Sequence, residues 1–333
     1  MSKIKPSKGA PYARIMGVGG YRPVRVVPNE VILETIDSSD EWIRSRSGIA
    51  TRHWASPEET VAAMSVEAAG KAIADAGITP EQIGAVIVST VSHFKQTPAI
   101  ATEIADRIGA GRPAAFDISA ACAGFVYGLT LAKGLVVEGS AEHVLVIGVE
   151  RLSDLTDLED RATAFLFGDG AGAVVVGPSK EPKVGPTVWG SEGDKSDTIK
   201  QTVPWDDFHA GSMEKFPAIT QEGQAVFRWA VFEMAKVAQQ ALDAAGITPQ
   251  DLDVFIPHQA NMRIIDSMVK TLKLPDSVTV ARDVETTGNT SAASIPLAME
   301  RILATGQAKS GDTALVIGFG AGLVYAATVV TLP

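Results

Sequence analysis

The chain is nearly free of cysteine, since Cys122 is the single one among its 333 residues. One cysteine excludes a disulfide within the chain and any zinc site built on two or four cysteines. The chain therefore needs no oxidising compartment in order to fold. Basic residues are also in the minority, with 29 Lys and Arg against 39 Asp and Glu and a net charge of −10. A general nucleic-acid binder has the opposite balance, so we expect no nucleic-acid partner.

Long hydrophobic runs are missing as well. The apolar runs, such as residues 144–149, are far shorter than the ~20 residues of a membrane-spanning helix. The segment before Arg14 is basic but lacks the apolar core of a signal peptide. We therefore expect a soluble, cytoplasmic protein with no membrane partner. The composition, 46% hydrophobic and 20% charged, indicates a large packed core and excludes a disordered chain.

Two stretches of the sequence resemble each other. Residues 69–89 read AGKAIADAGITPEQIGAVIVS, and residues 238–258, which begin 169 positions later, read AQQALDAAGITPQDLDVFIPH. A second pair, LVIG at 145–148 and again at 315–318, has an offset of 170. Two agreeing offsets indicate an internal duplication. We predict two similar halves, residues 1–180 and 181–333, that meet in the Pro-containing segment 178–186.

Each half alternates helical and extended patterns. Nearly continuous apolar segments rich in Val and Ile indicate strands buried on both faces, with helices on either side of a sheet. We predict such strands at residues 85–90, 115–119, 144–150, 171–177, 253–257, 313–318 and 323–330. The capping-box sequence Ser56-Pro-Glu-Glu59 predicts the start of an alanine-rich helix that runs to about Ala76. The fold class is α/β, with two duplicated, layered halves.

Cys122 is the first candidate for chemistry. It lies in the segment AACAG, between a strand predicted to end near Ser119 and a helix predicted over residues 125–137. A thiol on such a turn meets unpaired N–H groups and the positive end of the helix dipole, which stabilise a thiolate and lower the pKa. Small neighbours would let a substrate carbonyl approach closely. The alternative is a buried structural cysteine that behaves as a small hydrophobe.

His258 and Asn289 are the next candidates. His258 follows the apolar run 254–257, and open α/β sheets bind ligands at the carboxyl ends of their strands. A hydrogen-bonded structural histidine is the alternative. Asn289 lies in the loop TTGNTSAAS, which precedes a helix predicted over residues 295–303. Such loops are usually plain turns, but the duplication makes this one the counterpart of the Cys122 turn.

Three motifs together resemble the β-ketoacyl-acyl-carrier-protein synthase III family: AACAG at Cys122, PHQAN at His258 and GNTSA at Asn289. These are the initiating condensing enzymes of bacterial type II fatty-acid synthesis. The resemblance extends from about Arg14 to the C-terminus and includes the segment EWIRSRSGI at residues 41–49. It implies the thiolase-like fold, whose two duplicated halves form α-β-α-β-α layers. That architecture agrees with the repeat found from the sequence alone.

The resemblance also implies the reaction, a decarboxylative Claisen condensation. A short acyl-CoA primer, acetyl or branched, would acylate the cysteine. Malonyl-acyl carrier protein would then give 3-oxoacyl-acyl carrier protein, CoA and CO₂. Acyl carrier protein is thus the implied partner, in addition to a second copy of the chain in a homodimer. No cofactor or metal is implied, because acyl-CoA is a substrate.

Residue roles follow from the same resemblance. Cys122 would be the nucleophile, and His258 and Asn289 would stabilise the enolate that forms as CO₂ leaves. The backbone N–H groups of Cys122 and Ala321 would form the oxyanion hole. The residues expected to bind CoA are Trp42, Arg46, Arg161 and Asn261. The residues expected to bind acyl carrier protein are Gln259, Arg263, Arg228 and Lys270. Thr97 is expected in the primer pocket.

Two other functions stay open at this point. The first is a starter-unit condensing enzyme of a secondary-metabolite, polyketide pathway. The second, from a different class, is a cysteine hydrolase, because papain-like proteases also carry Cys, His and Asn in this order. The duplicated α/β pattern and the lack of disulfide partners argue against the hydrolase.

Overall fold

The computed structural model describes residues 4–333 of the chain. A five-stranded sheet organises the first part of the molecule. Its strands are Tyr12–Tyr21 (β1), Ile83–Ser89 (β4), Ala114–Ile118 (β5), His143–Arg151 (β6) and Asp169–Ser179 (β7). Their order is β1-β7-β6-β4-β5, in which β4 is parallel to β5 and β6 while β7 is antiparallel to β6 and β1. A separate ribbon pairs Arg25–Pro28 (β2) with Thr51–Trp54 (β3).

A second five-stranded sheet repeats this arrangement. Its strands are Val188–Ser191 (β8), Val254–Pro257 (β11), Thr279–Val280 (β12), Thr313–Gly320 (β13) and Val324–Thr331 (β14). Their order, β8-β14-β13-β11-β12, matches the first sheet position by position, and so do the strand directions. The short strands Ile199–Gln201 (β9) and Ile219–Gln221 (β10) form a hairpin beside it. The duplication seen in the sequence is therefore a structural duplication.

Helices form three layers around the two sheets. Their bounds are Asn29–Ile32 (α1), Asp40–Ser47 (α2), Val61–Asp75 (α3), Ile100–Arg107 (α4), Gly124–Glu138 (α5), Trp205–His209 (α6), Gly223–Ala245 (α7), Met262–Leu272 (α8), Val284–Thr287 (α9) and Ser294–Ala304 (α10). Helices α5 and α10 lie between the sheets in one shared hydrophobic core. Helices α3 and α4 cover the outer face of the first sheet, and α7 and α8 cover that of the second. The layers run α-β-α-β-α, as predicted.

The seven predicted strands are confirmed within a few residues, but the start of α3 is not. The helix begins at Val61, where the Thr60 side chain caps it by accepting a hydrogen bond from the Ala63 N–H at 3.1 Å. The capping-box residue Glu59 does accept from the Ser56 N–H at 2.8 Å, yet its other oxygen accepts from the hydroxyl of Tyr21 at 2.7 Å. Glu59 therefore ties a separate turn to β1 and does not begin the helix.

The predicted boundary between the halves falls in the connection between the sheets. The strands of the first sheet end at Ser179 and those of the second begin at Val188. Within this connection, the Gly185 N–H donates to the Val329 carbonyl at 2.8 Å, so the segment already pairs with β14. The division into residues 1–180 and 181–333 stays a prediction.

One helix is more apolar than the sequence led us to expect. The segment Ala121–Glu138, which comprises α5 and the turn before it, has 18 residues and is long and apolar enough to cross a membrane by length and composition. It is the one such segment among residues 4–333. Phe125, Val126 and Leu129 of this helix are buried in the core between the two sheets. Core helices of this kind pass the same test, so the feature is weak support for a membrane span.

Candidate active site

Two sharp turns meet at the centre of the molecule, one from each half. Each is a short 3₁₀ turn, Ala121–Ala123 before α5 and Ser291–Ala293 before α10. Ala121 and Ser291, which are 170 positions apart, both have left-handed backbone angles, with φ of 43° and 46°. Such angles are uncommon for residues with a side chain and are found at functional sites. The turn that carries Cys122 and the loop that follows Asn289 are therefore structural counterparts, as the repeat predicts.

Each turn packs against the sheet of the other half. A β-carbon on Gly318 of β13 would lie 2.7 Å from the Cys122 carbonyl oxygen, and one on Gly148 of β6 would lie 2.1 Å from the Ala292 carbonyl oxygen. Only glycine permits this approach of strand and turn. Gly148 and Gly318 are themselves 170 positions apart. The same contact between a strand glycine and the opposite turn thus occurs twice, and the site lies between the two halves.

Burial dominates the chemistry of the Cys122 thiol. Burial raises its pKa to about 12, the nearby Glu150 carboxylate raises it further, and the hydroxyl of Ser291 opposes the shift. The expectation of a lowered pKa is therefore wrong for the ligand-free protein. Removal of the thiol from water is the largest cause of this shift.

His258 is fixed as a neutral hydrogen-bond donor. It is 2% exposed, and burial lowers its pKa to about 3. Its Nδ1 lies 2.7 Å from the Ser294 hydroxyl, which also accepts from the Gln259 N–H at 3.4 Å. In the tautomer of His258 that has its proton on Nε2, Nδ1 accepts a hydrogen bond from the Ser294 hydroxyl. That N–H is then free to donate into the cavity.

Asn289 is held by its backbone and by one side-chain oxygen. Its N–H donates to the Leu166 carbonyl at 2.9 Å, and its carbonyl accepts from the Gly168 N–H at 3.0 Å. Its Oδ1 accepts from the Ser291 N–H at 2.8 Å. Within the described residues no acceptor engages its Nδ2, so this amide N–H₂ is available to a ligand.

Cys122, His258 and Asn289 line one cavity of about 210 Å³. The Ala321 N–H, which has no hydrogen-bond acceptor in residues 4–333, lies on the same wall. The remaining wall is mostly apolar, with Val91, Leu152, Leu155, Phe167, Ile199, Ile219, Trp229 and Phe319. A cavity this small fits a short acyl group better than a long chain.

A wider cleft of about 740 Å³ leads outward from this cavity. The two share lining residues, which are Gln221, Val226, Ala260, Ile264 and Asn289. The cleft contains four arginines, namely Arg46, Arg161, Arg228 and Arg263. At its mouth the guanidinium carbon of Arg161 lies 4.9 Å from the centroid of the Trp42 ring, and that of Arg46 lies 5.9 Å away. A positive field therefore surrounds this opening although the chain is acidic overall.

Two predicted binding residues have structural contacts. Asn261 caps α8, because its Oδ1 accepts from the Arg263 N–H at 2.9 Å, and its amide donates to the Arg46 carbonyl at 2.9 Å. It lines the cleft nonetheless. Gln259 is 0% exposed, and its amide group bonds to the backbone of Pro257, Ala281 and Val284. The prediction that Gln259 contacts a carrier protein is wrong, because a fully buried side chain cannot reach a docked protein.

The other predicted docking residues are exposed. Arg263 and Lys270 lie on α8 and Arg228 lies on α7, the two helices that pack together beside the cleft. The Arg263 guanidinium carbon lies 4.7 Å above the Phe227 ring. Thr97 is also exposed, and it does not line the cavity of its own chain.

Sequence reasoning missed three polar residues of the site. Glu150 is fully buried at the end of β6, and Ser291 and Ser294 flank the second turn. In the sequence Glu150 is an ordinary charged residue at the end of an apolar strand, and the serines belong to a small-residue loop. The repeat offers one signal, because Glu150 is a charged residue at the position that corresponds to Gly320, beside the Cys122 turn. Among residues 4–333, no cluster of three His, Cys, Asp or Glu side chains could hold a metal ion.

Comparison with known proteins identifies the family. The profile of 3-oxoacyl-(acyl-carrier-protein) synthase III matches residues 116–193, and the profile of the C-terminal part of these proteins matches residues 242–332. Beta-ketoacyl-acyl-carrier-protein synthase III of Streptomyces glaucescens is 86% identical, with 100% of both chains covered. The mycobacterial beta-ketoacyl-acyl-carrier-protein synthase III of Mycobacterium marinum is 52% identical, with 100% of this chain and 99% of that one covered.

Solved structures agree. The priming beta-ketosynthase from the R1128 polyketide biosynthetic pathway superposes with a TM-score of 0.97 at 45% identity, covering 100% of this chain and 99% of that one. The 3-oxoacyl-acyl-carrier-protein synthase III of Aquifex aeolicus VF5 superposes with a TM-score of 0.88 at 38% identity, covering 96% and 99%. The predicted thiolase-like α/β fold is confirmed. The chain belongs to the β-ketoacyl-acyl-carrier-protein synthase III family.

Proposed function

We propose that this chain catalyses the condensation of a short acyl-CoA primer with malonyl-acyl carrier protein, the initiating step of fatty-acid synthesis. The observation that carries the proposal is the cavity in which one thiol, Cys122, faces two neutral N–H donors, those of His258 and Asn289. The membership of the family supports the same reaction. CoA, the released carrier-bound 3-oxoacyl product and CO₂ account for the atoms of the two substrates.

In the first half-reaction the Cys122 sulfur attacks the thioester carbonyl of acyl-CoA. A thiol suits this step because it is a strong nucleophile as a thiolate and leaves readily afterwards. The N–H groups of Cys122 and Ala321 would stabilise the oxyanion that forms at the carbonyl. The free Ala321 N–H and its position on the cavity wall support this assignment.

In the second half-reaction malonyl-acyl carrier protein loses CO₂ and its enolate attacks the acyl-cysteine. His258 Nε2–H and Asn289 Nδ2–H would donate to the thioester oxygen as negative charge develops there. Neither group can serve as a strong acid at neutral pH, because burial lowers the pKa of His258 to about 3 and an amide does not titrate. The carbanion therefore survives long enough to attack.

The outer cleft suits CoA. The guanidinium group of Arg46 suits the CoA phosphates, and Trp42 offers a flat surface to the adenine. A ring stacked between Trp42 and Arg161 needs a separation of about 7 Å, twice the contact distance of carbon atoms. The present 4.9 Å is too short, so Arg161 must move outward when CoA binds. Arg46 and Asn261 line the same cleft and complete the proposed CoA site.

The exposed basic residues on α7 and α8 support docking of acyl carrier protein. Arg228 and Arg263 lie at the mouth of the cleft, so a carrier bound there would direct its prosthetic arm towards Cys122. Lys270 extends this surface along α8. Carrier proteins of this pathway are acidic, and local positive charge would speed and orient their association.

We also propose that the chain forms a homodimer and acts in the cytoplasm, and two features support the dimer. Strand β5 lies at the edge of the first sheet, and within residues 4–333 only β4 pairs with it. Phe94, Trp205 and Phe216 form an exposed aromatic cluster with ring centroids 5.3–5.5 Å apart, and Phe94 is close to Thr97 in sequence. Unpaired edges and apolar patches favour protein contacts. A second copy of the chain would cover both, and the reaction needs no cofactor beyond its substrates.

Mass spectrometry of the acylated protein tests the proposal. The chain has one cysteine, so incubation with acetyl-CoA should add a single acetyl group, and peptide mapping should locate it on Cys122. Cys122→Ser should lose this adduct and lose condensation with malonyl-acyl carrier protein. Acylation at the wild-type rate in Cys122→Ser would refute the proposal. A panel of acyl-CoA primers, with a polyketide carrier protein in parallel, would separate fatty-acid initiation from polyketide priming.

A further inference from the structure

Arg52 is a buried cation that the proposed reaction steps do not use. It lies on β3 and is 0% exposed, and none of the salt bridges among residues 4–333 includes it. Its Nε has no hydrogen-bond partner in the same part of the chain. A charge buried without a counter-charge costs free energy, so packing alone favours an apolar side chain at this position. The hydrogen bonds of the guanidinium group indicate why a cation is present.

The guanidinium group of Arg52 contacts two separate parts of the site. Its Nη2 donates to the Phe165 carbonyl at 2.9 Å and to the Asn29 Oδ1 at 2.6 Å, and its Nη1 donates to the Val27 carbonyl at 3.2 Å. Phe165 lines the outer cleft, where its ring meets that of Trp42 edge-on with centroids 5.5 Å apart. Arg52 therefore connects the β2–β3 ribbon to the wall of the cleft.

The segment that begins at Phe165 aligns the backbone of Asn289. The two are joined by a parallel β-bridge between Phe167 and Asn289. In this bridge the Asn289 N–H donates to the Leu166 carbonyl at 2.9 Å, and the Asn289 carbonyl accepts from the Gly168 N–H at 3.0 Å. Asn289 therefore takes its position from residues 165–168.

Two side chains of β3 hold that segment in turn. Arg52 binds the Phe165 carbonyl, just before the bridge, and the Trp54 Nε1–H donates to the Phe167 carbonyl at 3.3 Å. Arg52 and Trp54 are two positions apart on a strand, so their side chains lie on the same face. The first branch of contacts thus leads from Arg52 through residues 165–168 to Asn289.

The packing around this branch is tight. A β-carbon on Gly288 would lie 2.9 Å from the Arg52 Cβ, and one on Gly168 would lie 2.3 Å from the Thr287 carbonyl oxygen. Strand β3, the segment with Gly168 and the loop before Asn289 are therefore in direct contact. Because protein interiors are close-packed, a displacement of Arg52 is passed on to Asn289.

A second branch leads from Arg52 to α2, the helix of the proposed CoA site. The Asn29 amide, whose oxygen accepts from Arg52, donates to the Asp40 Oδ1 at 2.7 Å and to the Ile49 carbonyl at 2.9 Å. Asp40 is the first residue of α2, and Ile49 lies two residues beyond its end. Arg52 and Asn29 therefore fix α2 at both ends.

We propose that Arg52 is a positioning residue that aligns Asn289 for malonyl decarboxylation and α2 for binding of CoA. The inference rests on the proposed roles of Asn289 and of the outer cleft. Arg52 lines neither cavity, so it acts through the groups that it holds. The Asn289 amide has to point at one oxygen atom of the substrate, and a misplacement of about 1 Å costs about 10²-fold in rate. Cys122 and Ala321 lie on neither branch, so acyl transfer to the thiol should depend little on Arg52.

Arg52→Met tests the proposal, because it removes the donors and fills similar space. We expect the rate of ¹⁴CO₂ release from saturating labelled malonyl-acyl carrier protein to fall about tenfold or more, and KM for acetyl-CoA to rise several-fold. The rate of Cys122 acylation at saturating acetyl-CoA, followed by mass, should change little. Arg52→Lys keeps the charge and one donor nitrogen but not the planar fork. It should recover part of the lost decarboxylation, and acylation should again be close to normal.

Two further variants separate positioning from a general loss of stability. Asn29→Ala breaks only the second branch, so it should raise KM for acetyl-CoA and leave decarboxylation near the wild-type rate. Ile104→Ala removes buried side-chain atoms from α4, on the outer face of the first sheet. It should lower the free energy of unfolding while the ratio of the decarboxylation and acylation rates stays as in the wild type.

The outcomes distinguish this inference from the proposed function. Equal losses of decarboxylation and acylation in Arg52→Met and Arg52→Lys, or no loss in either variant, would overturn the role of Arg52. If Arg52→Met does not fold, Arg52→Lys and Asn29→Ala decide, because each predicts a loss in one measured quantity with acylation preserved. Absence of any Cys122 adduct in the wild type would instead refute the proposed function itself.

Discussion

The Cys122 side chain fills the space that a side chain on Gly320 would need. A β-carbon on Gly320 would lie 2.9 Å from the Cys122 Cβ and Sγ and 3.1 Å from its backbone nitrogen. Real β-carbons do not approach side chains and backbone so closely, and the turn is held from behind by Gly318. The nucleophile of one half is therefore positioned by the absence of a side chain in the other.

Gly320→Ala should therefore impair acylation. We expect the Cys122 side chain to rotate or the turn to shift by a large fraction of an ångström, and misplacement of about 1 Å costs about 10²-fold in rate. The measurement is the single-turnover rate of Cys122 acylation by acetyl-CoA. Gly134→Ala is the matched control, because Gly134 lies on the exposed side of α5 with nothing within 4 Å of its added β-carbon. A Gly320→Ala rate equal to that of this control would contradict the steric argument.

Removal of the two N–H donors should separate the half-reactions. His258→Ala and Asn289→Ala should each lower malonyl decarboxylation by about 10²–10³-fold, the usual cost of one oxyanion donor. Acylation of Cys122 should continue at a rate close to normal. The measurements are ¹⁴CO₂ release from labelled malonyl-acyl carrier protein and the mass of the acyl-enzyme. A normal rate of condensation in Asn289→Ala would mean that the Asn289 side chain has only a structural role.

Ser294→Ala tests how His258 is oriented. Without the Ser294 hydroxyl, no side chain holds Nδ1, and the histidine can carry its proton on either nitrogen. We expect a loss of several-fold to about tenfold in decarboxylation, smaller than the loss in His258→Ala, because the donor is present in only part of the molecules. Ser294→Thr keeps the hydroxyl and should recover most of the activity. No recovery in the threonine variant would mean that packing of α10, and not the hydrogen bond, is what matters.

The burial of His258 also makes stability depend on pH. Its pKa falls from an ordinary value near 6.5 to about 3 on folding, so the unfolded chain binds a proton that the folded chain does not. The free energy of unfolding should thus fall as pH drops below about 6.5, by up to about 1.4 kcal/mol per pH unit from this residue. Urea unfolding of the wild type and of His258→Gln at several pH values measures it. The difference between the two proteins should change with that slope below pH 6.5 and be constant above it.

Much of this molecule could be predicted from its sequence, and the failures have physical causes. Continuous runs of Val and Ile indicate the buried strands. The duplication is visible because a stretch of 21 residues recurs at an offset of 169. The pKa of Cys122 could not be predicted, because it depends on how deeply packing across two distant segments buries the thiol. Glu150 was missed for the same reason, since its hydrogen-bond partners Thr90 and Ser92 are remote in sequence. Gln259 was wrongly assigned to the carrier-binding surface, because a sequence motif does not show whether a residue after a strand faces solvent or the core.

Arg263 should matter for the carrier-bound substrate and not for the CoA-bound one. Arg263→Glu reverses the charge at the mouth of the cleft, so KM for malonyl-acyl carrier protein should rise about tenfold and become more sensitive to salt. The rate of Cys122 acylation by acetyl-CoA should change little. Lys180→Glu makes the same change of charge at an exposed position in the connection that follows β7, and it should leave KM for malonyl-acyl carrier protein unaltered. Equal losses with both substrates would indicate disturbed packing of α8 and would contradict a docking role.

Thr97 offers the sharpest test of primer choice. It is exposed in its own chain and absent from that chain's cavity wall, so any effect on the primer must act in the cavity of a partner copy. A phenyl ring before this proline would present a bulky wall there, which suits an acetyl primer. Threonine would leave space beside the acyl carbon there, and one methylene in an apolar pocket contributes about 1–3 kcal/mol to discrimination. We expect good use of isobutyryl- and methylbutyryl-CoA as well as acetyl-CoA.

Thr97→Phe should reverse that preference. The added ring should lower kcat/KM for the branched primers by about tenfold or more, while acetyl-CoA, which needs little space, should keep most of its rate. The measurement is the ratio of kcat/KM for isobutyryl-CoA and acetyl-CoA. Gln96→Phe adds the same ring at the neighbouring exposed position, and it should leave the ratio unchanged. A loss in Thr97→Phe that is equal for both primers would show that Thr97 faces solvent in the assembled enzyme, and the pocket argument would then be wrong.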